Sequence, residues 1–159
     1  MPGQVIVHHP AENCWLRFAD PIEIVSVRSP AEVLPGLHYL EERVRMRQLY
    51  AAGYLAYEAA PAFDAVLQVR STSAVPLMWF GLYERVESIE LPAPDRHVEP
   101  IGPWQPTVTW DEYERAINTI KDYIATGRTN QVNYTYRLRA PFSGDPWTFF
   151  LHLARLQSH

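Results

Sequence analysis

At 159 residues, 47% of them hydrophobic, the chain is the size of one ordinary domain and has enough apolar material for a packed core, which excludes a long disordered polymer. A formal charge of -4, spread without long blocks, argues against a nonspecific nucleic-acid or membrane-surface binder and leaves small molecules or proteins as partners. The single cysteine, Cys14, excludes an intramolecular disulfide and agrees with a reducing compartment.

The opening MPGQVIVHHPAENC has no basic start followed by an apolar run, and no apolar segment approaches the length that spans a bilayer, so the expected location is the cytoplasm. Neither His8-His9 nor His152 has a second ligand at metal-site spacing; they read as surface or packing histidines, and Cys14 as a small, partly buried hydrophobe. Residues 15–28, WLRFADPIEIVSVR, form two strand-like pieces hinged at Asp20-Pro21, because proline removes a ladder donor. SPAE at 29–32 then combines a capping serine, a proline at the first helical position and a glutamate at the third, which predicts a helix start. Pro35-Gly36 is expected to break or restart that helix, and Leu37, Leu40 and Val44 mark its core-facing stripe through about Gln48.

LYAAGYLAYE, 49–58, reads as a buried strand whose internal glycine admits a neighbouring backbone, with AAPAFD, 59–64, as the turn that leaves it. VPLMWFGLYERV, 75–86, is apolar on both faces from Leu77 to Tyr83 and is the expected central strand. Five prolines between Leu91 and Pro106 predict an extended crossing segment that divides the chain. Beyond it, Thr109 and Glu112 stand in the capping-box relation, and Tyr113, Ala116, Ile117, Ile120 and Ile124 share a helical face that stops at Gly127. A strand over Gln131–Leu138 follows, then the turn PFSGD. Asp145 and Pro146 start a last helix through Phe149, Phe150, Leu153 and Leu156 that reaches the end at Gln157-Ser158-His159.

Chemistry is sparse at the level of spacing. The sequence contains no phosphate-cradling glycine loop, nucleophile elbow, metal-ligand cluster or kinase signature. Tyr57-Glu58 could supply an acid or base at a strand end, but a carboxylate leaving a strand into a turn is more often solvated or salt-bridged. Gln131, Asn133 and Thr135 alternate with Val132, Tyr134 and Tyr136, which makes them either a solvent-facing polar stripe or the wall of a substrate site. Arg137 and Arg139 extend that face and suit a carboxylate ligand or surface ion pairs.

Taken in order, GYLAYEAAPAFD, MWFGLYE and WDEYERAINTIKDYIATGRTNQVNYTYRLRAPFSGDP resemble the amino-terminal part of the chorismate-utilising enzymes, and most closely their aminodeoxychorismate synthase component I branch. The resemblance implies an α+β fold, a layered sandwich of mainly antiparallel sheets and flanking helices. It implies that residues 1–90 form the family's amino-terminal domain, 91–108 the crossing segment and 109–159 the start of the chorismate-binding domain. The implied partners are chorismate and a glutamine amidotransferase subunit whose ammonia replaces a chorismate hydroxyl, and the implied cofactor is magnesium. The family's catalytic lysine and histidine and its magnesium-binding glutamates match no residue here, so the chain alone is expected to be inactive. WLRFADPIEI lacks the serine of the Leu-Leu-x-Ser segment with which some members hold tryptophan, which disfavours tryptophan binding and the anthranilate branch. Arg128 and Asn130 stand where the family has an aspartate and an aromatic residue, an expected change of surface chemistry. The alternatives are an anthranilate synthase component I fragment and a noncatalytic partner-binding module of the same fold.

Overall fold

A computed structural model describes residues 3–70, 74–93 and 101–156, so part of the proline-rich crossing and the last three residues lie outside the described residues. The described strands pair antiparallel and alternate with helices, which makes the fold α+β. The chain divides into two units, Met1–Leu91 and Pro92–His159.

In the first unit, β1 (Val5–His9), β2 (Cys14–Phe18) and β6 (Glu87–Ile89) form one sheet with β2 in the middle. β3 (Glu23–Val27), β5 (Met78–Tyr83) and β4 (Tyr50–Leu55) form the other, with β5 in the middle. The hinge expected at Asp20-Pro21 separates β2 from β3, and Asp20 turns the chain in the left-handed region at φ 55°.

The double-faced apolar pattern of β5 has a direct structural cause. Met78, Phe80 and Leu82 face a core built with Val33, Leu37, Leu40 and Val44 of α1 (Pro30–Arg47), while Tyr83 faces the other way, onto Phe18 and Ala52. Period-two alternation places each set on its own side of the sheet, and both sides are covered.

Helix α1 corrects two expectations. It runs unbroken through Pro35-Gly36, and Ser29 occupies the N-cap without a side-chain cap hydrogen bond; only its carbonyl accepts, from the Glu32 N–H at 3.1 Å. Proline at position 35 costs the helix one internal hydrogen bond. Packing offsets that cost: a methyl group at Gly36 would stand 2.5 Å from Met78 Cε and 3.4 Å from Val27 Cγ2, so glycine lets the helix press onto the sheet where proline weakens it.

β4 corrects a third expectation, because it is an edge strand of which only Ala52 is buried. The close approach inferred for its glycine is present: a Cβ at Gly53 would strike the Trp79 carbonyl and come within 2.6 Å of Phe80 Cα. AAPAFD turns as part of a 3₁₀ helix, Tyr57–Ala62, whose Ala59 is fully buried against the α1 core.

In the second unit, β7 (Gln105–Pro106) pairs with β8 (Leu138–Arg139), α2 spans Trp110–Ala125 and α3 spans Pro146–Leu156. Both helix starts follow the capping pattern read from the sequence. Glu112 N–H donates to Thr109 Oγ1 at 3.3 Å while Thr109 N–H donates to a Glu112 carboxylate oxygen at 2.8 Å, and Thr148 N–H donates to Asp145 at 2.7 Å. Gly127, at φ 71°, follows the end of α2 as the stop.

Candidate functional site

The expected strand over Gln131–Leu138 is not formed along most of its length; only Leu138-Arg139 pairs, with Gln105-Pro106. A strand needs a ladder partner, and the one found among the described residues ends in Pro106, which has no N–H to give. The pairing is prolonged by a single step: Thr107 N–H donates to the Arg137 carbonyl at 2.9 Å, and Arg137 N–H donates to Thr107 Oγ1 at 3.2 Å. Before Arg137 the segment holds its alternation without a ladder.

That alternation sorts the side chains. Tyr134 and Tyr136 both pack on Tyr113 of α2, with ring centroids at 5.8 and 6.0 Å, and Trp110 lies 5.6 Å from the same Tyr113 ring. Edge and tilted contacts of this kind suit the quadrupoles of aromatic rings. They leave an open pocket of about 360 Å³ bounded by Pro106, Val108, Thr109, Trp110, Tyr113 and Tyr136, a size that admits a small molecule. The capping Thr109 sits on its wall, and hydrogen bonds from the Thr109 backbone and side chain hold the Glu112 carboxyl below its ordinary pKa.

Gln131, Asn133 and Thr135 are all exposed and do not border that pocket. The Thr129 hydroxyl donates to the Gln131 carbonyl at 3.0 Å, which fixes the backbone just before the polar residues and leaves their side-chain amides and hydroxyl to solvent. Arg137 and Arg139 are exposed as well. The structure therefore gathers the aromatic side of the segment against α2 and presents the polar side outward. The pocket itself was missed in the sequence, although its signal was there: Trp110 and Tyr113 are three apart on a helix, and Tyr134 and Tyr136 are two apart on an alternating segment.

In the first unit Tyr57 is 85% exposed and Glu58 half-buried on the 3₁₀ turn. A shallow cleft of about 60 Å³ lies among Arg17, Asp20, Glu84, Arg85 and Glu87, and the Arg17 guanidinium is held there by the Glu87 carboxylate, with Nε at 3.0 Å. At the tip of the β1–β2 hairpin, ligand-type atoms of His9, Glu12 and Cys14 lie within 4.8 Å of one another. This corrects the reading in which His9 had no further ligand nearby, because the hairpin register makes His9 and Cys14 cross-strand partners.

Residues 85–159 match the family model described as chorismate binding enzyme. Over 50 residues the chain is 36% identical to aminodeoxychorismate synthase component 1 of Escherichia coli strain K12, a stretch amounting to 31% of this chain and 11% of that protein. No solved structure matches.

Proposed function

We propose that this chain, similar over residues 85–159 to chorismate binding enzymes, is the amino-terminal portion of an aminodeoxychorismate synthase component I. The enzyme aminates chorismate to 4-amino-4-deoxychorismate on the route to p-aminobenzoate and folate, in the cytoplasm, with ammonia supplied by a glutamine amidotransferase subunit. The observation that carries this reading is the family match together with the 36% identity to a protein named for that reaction. In this reading residues 1–90 are the amino-terminal domain and 109–159 begin the chorismate-binding domain, within the family's layered sandwich. Gln131, Asn133 and Thr135, exposed on one side of their segment, form a wall whose amides and hydroxyl can hydrogen-bond the carboxylates and hydroxyl of chorismate.

No residue here takes part in the chemical step, so the chain alone is inactive. Magnesium belongs to this reading, but the residues brought together among the described ones do not fit it. His9, Glu12 and Cys14 offer nitrogen, oxygen and sulfur, whereas magnesium takes oxygen ligands in an octahedron.

The test is a chimera in which residues 85–159, the part that matches the family model, replace the corresponding segment of the Escherichia coli relative, assayed with chorismate, ammonium and magnesium. The expected product is 4-amino-4-deoxychorismate, with kcat/KM lowered about tenfold by Asn133→Ala through loss of one substrate hydrogen bond. A folded chimera without activity would overturn the reading, and formation of anthranilate would move it to that branch. The 159-residue chain by itself should release neither product.

A further inference from the structure

We propose that the tip of the β1–β2 hairpin is a zinc site formed by His9, Glu12 and Cys14. His9 and Cys14 close the hairpin as its last cross-strand pair, and residues 10–13 bring Glu12 back over them. The loop is fixed by Asn13, in the left-handed region at φ 48°, whose N–H donates to the Pro10 carbonyl at 3.3 Å. A ring nitrogen, a carboxylate oxygen and a thiol sulfur thus lie within 4.8 Å of one another.

A second observation bears on the same point. His9 Nδ1 is buried and has no hydrogen-bond partner among the described residues. Burying an imidazole nitrogen without a partner costs free energy, and a metal ion would remove that cost by direct coordination to the ring.

The donor set selects the ion. Zinc takes Cys sulfur, His nitrogen and carboxylate oxygen at about 2.0–2.3 Å in a tetrahedron, so the three ligand atoms need to draw together by at most about 1.5 Å, a movement to which the exposed Glu12 side chain can contribute. The thiol favours zinc over magnesium and calcium, which prefer oxygen alone. Three protein ligands leave the fourth position to water. Binding displaces the Cys14 thiol proton, and the ion ties the two strands together at the loop end of the hairpin.

The test uses the whole 159-residue chain, stripped of metal under reducing conditions and titrated with cobalt(II) and then zinc. One cobalt per chain should produce a thiolate-to-cobalt charge-transfer absorption that zinc abolishes by displacement, and zinc should protect Cys14 from alkylation. Cys14→Ser should lose that absorption, and His9→Gln should weaken zinc binding by at least about tenfold, since even an outer-shell change at a zinc site costs that much. The proposal is overturned if the unaltered chain shows no charge-transfer band, a readout independent of whether any variant folds. It is equally overturned if His9→Gln, folded by circular dichroism, binds zinc as tightly as the parent. Neither result touches the chorismate reading, which rests on other residues.

Discussion

Tyr83 turns its ring to the face of β5 opposite α1, and its hydroxyl donates to the Gly3 carbonyl at 2.7 Å. The ring folds back over Gly81, where a methyl group would collide with it, and meets Phe18 at a centroid distance of 5.5 Å. One residue therefore joins the central strand to β2 and to the start of the chain. Tyr83→Phe keeps the ring and removes the hydrogen bond, so it should lower stability by about 1 kcal/mol at neutral pH, measured by urea denaturation. Burial also raises the Tyr83 pKa above its ordinary 10.0. A raised pKa contributes stability that is whole below pH 10.0 and is lost as pH rises through the folded-state value; the variant should show a flatter alkaline decline. An unchanged alkaline profile would assign that decline to other groups. At this scale the sequence is a partial guide: Tyr83 was legible as core, but its Gly3 partner, 80 residues away, was not. The same holds for His9 and Cys14. Their meeting depends on a hairpin register that neither residue signals alone, although VIVHH and CWLRF around the four-residue PAEN loop carry the strand pattern that would have revealed it.

The two helix starts of the second unit show which element signals survive folding. Capping is local chemistry, so Thr109-Glu112 and Asp145-Pro146 were readable from a few adjacent residues, and both caps are formed. Thr109→Ala should cost about 1 kcal/mol of helix stability and lower the ellipticity of α2. Hydrogen bonds from the Thr109 backbone and then its hydroxyl lower the Glu112 pKa from 4.5. A lowered pKa contributes stability present above pH 4.5 and lost as pH falls through the folded-state value, so the variant should fray less steeply on acidification than the parent. Equal acid dependence of the two would remove the Thr109 hydroxyl from that account and leave it to the backbone N–H that the variant keeps. Signals that depend on tertiary partners were read less well. Pro35-Gly36 is a break by local rule, yet α1 continues because Gly36 allows close packing on Met78 and Val27. Alternation over Gln131–Leu138 announces a strand, but pairing requires a second backbone that the described residues supply only at Gln105-Pro106. The small and aromatic residues of LYAAGYLAYE predict a buried strand, whereas its edge position is fixed by a β5 partner it cannot encode.

The two units differ in how much apolar surface each removes from water, and this difference should govern how the chain opens. The first contains nearly all the buried core among the described residues, with Val33, Met78, Leu82 and Tyr83 fully enclosed. In the second, Leu151 is the buried hydrophobic residue among those described, α2 has none, and Trp110 is 72% exposed. Protection of backbone amides follows the free energy of local opening, which rises with apolar burial and falls where hydrogen bonds face solvent. Hydrogen exchange followed by mass spectrometry should therefore find the amides of β5 protected at least about a hundredfold more strongly than those of α2, a difference of about 3 kcal/mol in opening free energy. Equal protection in both elements would show that α2 is held by more than the contacts described. The amphipathic face of α2, with Tyr113, Ala116, Ile117 and Ile120 half-buried and Ile124 open, gives the same experiment a second use. Placed in the chimera with the Escherichia coli relative, these residues should gain cover and their amides should slow. Slowing in α2 relative to the 159-residue chain would locate the new packing on the unit that carries most of the chorismate-binding likeness, which is where the functional reading requires it.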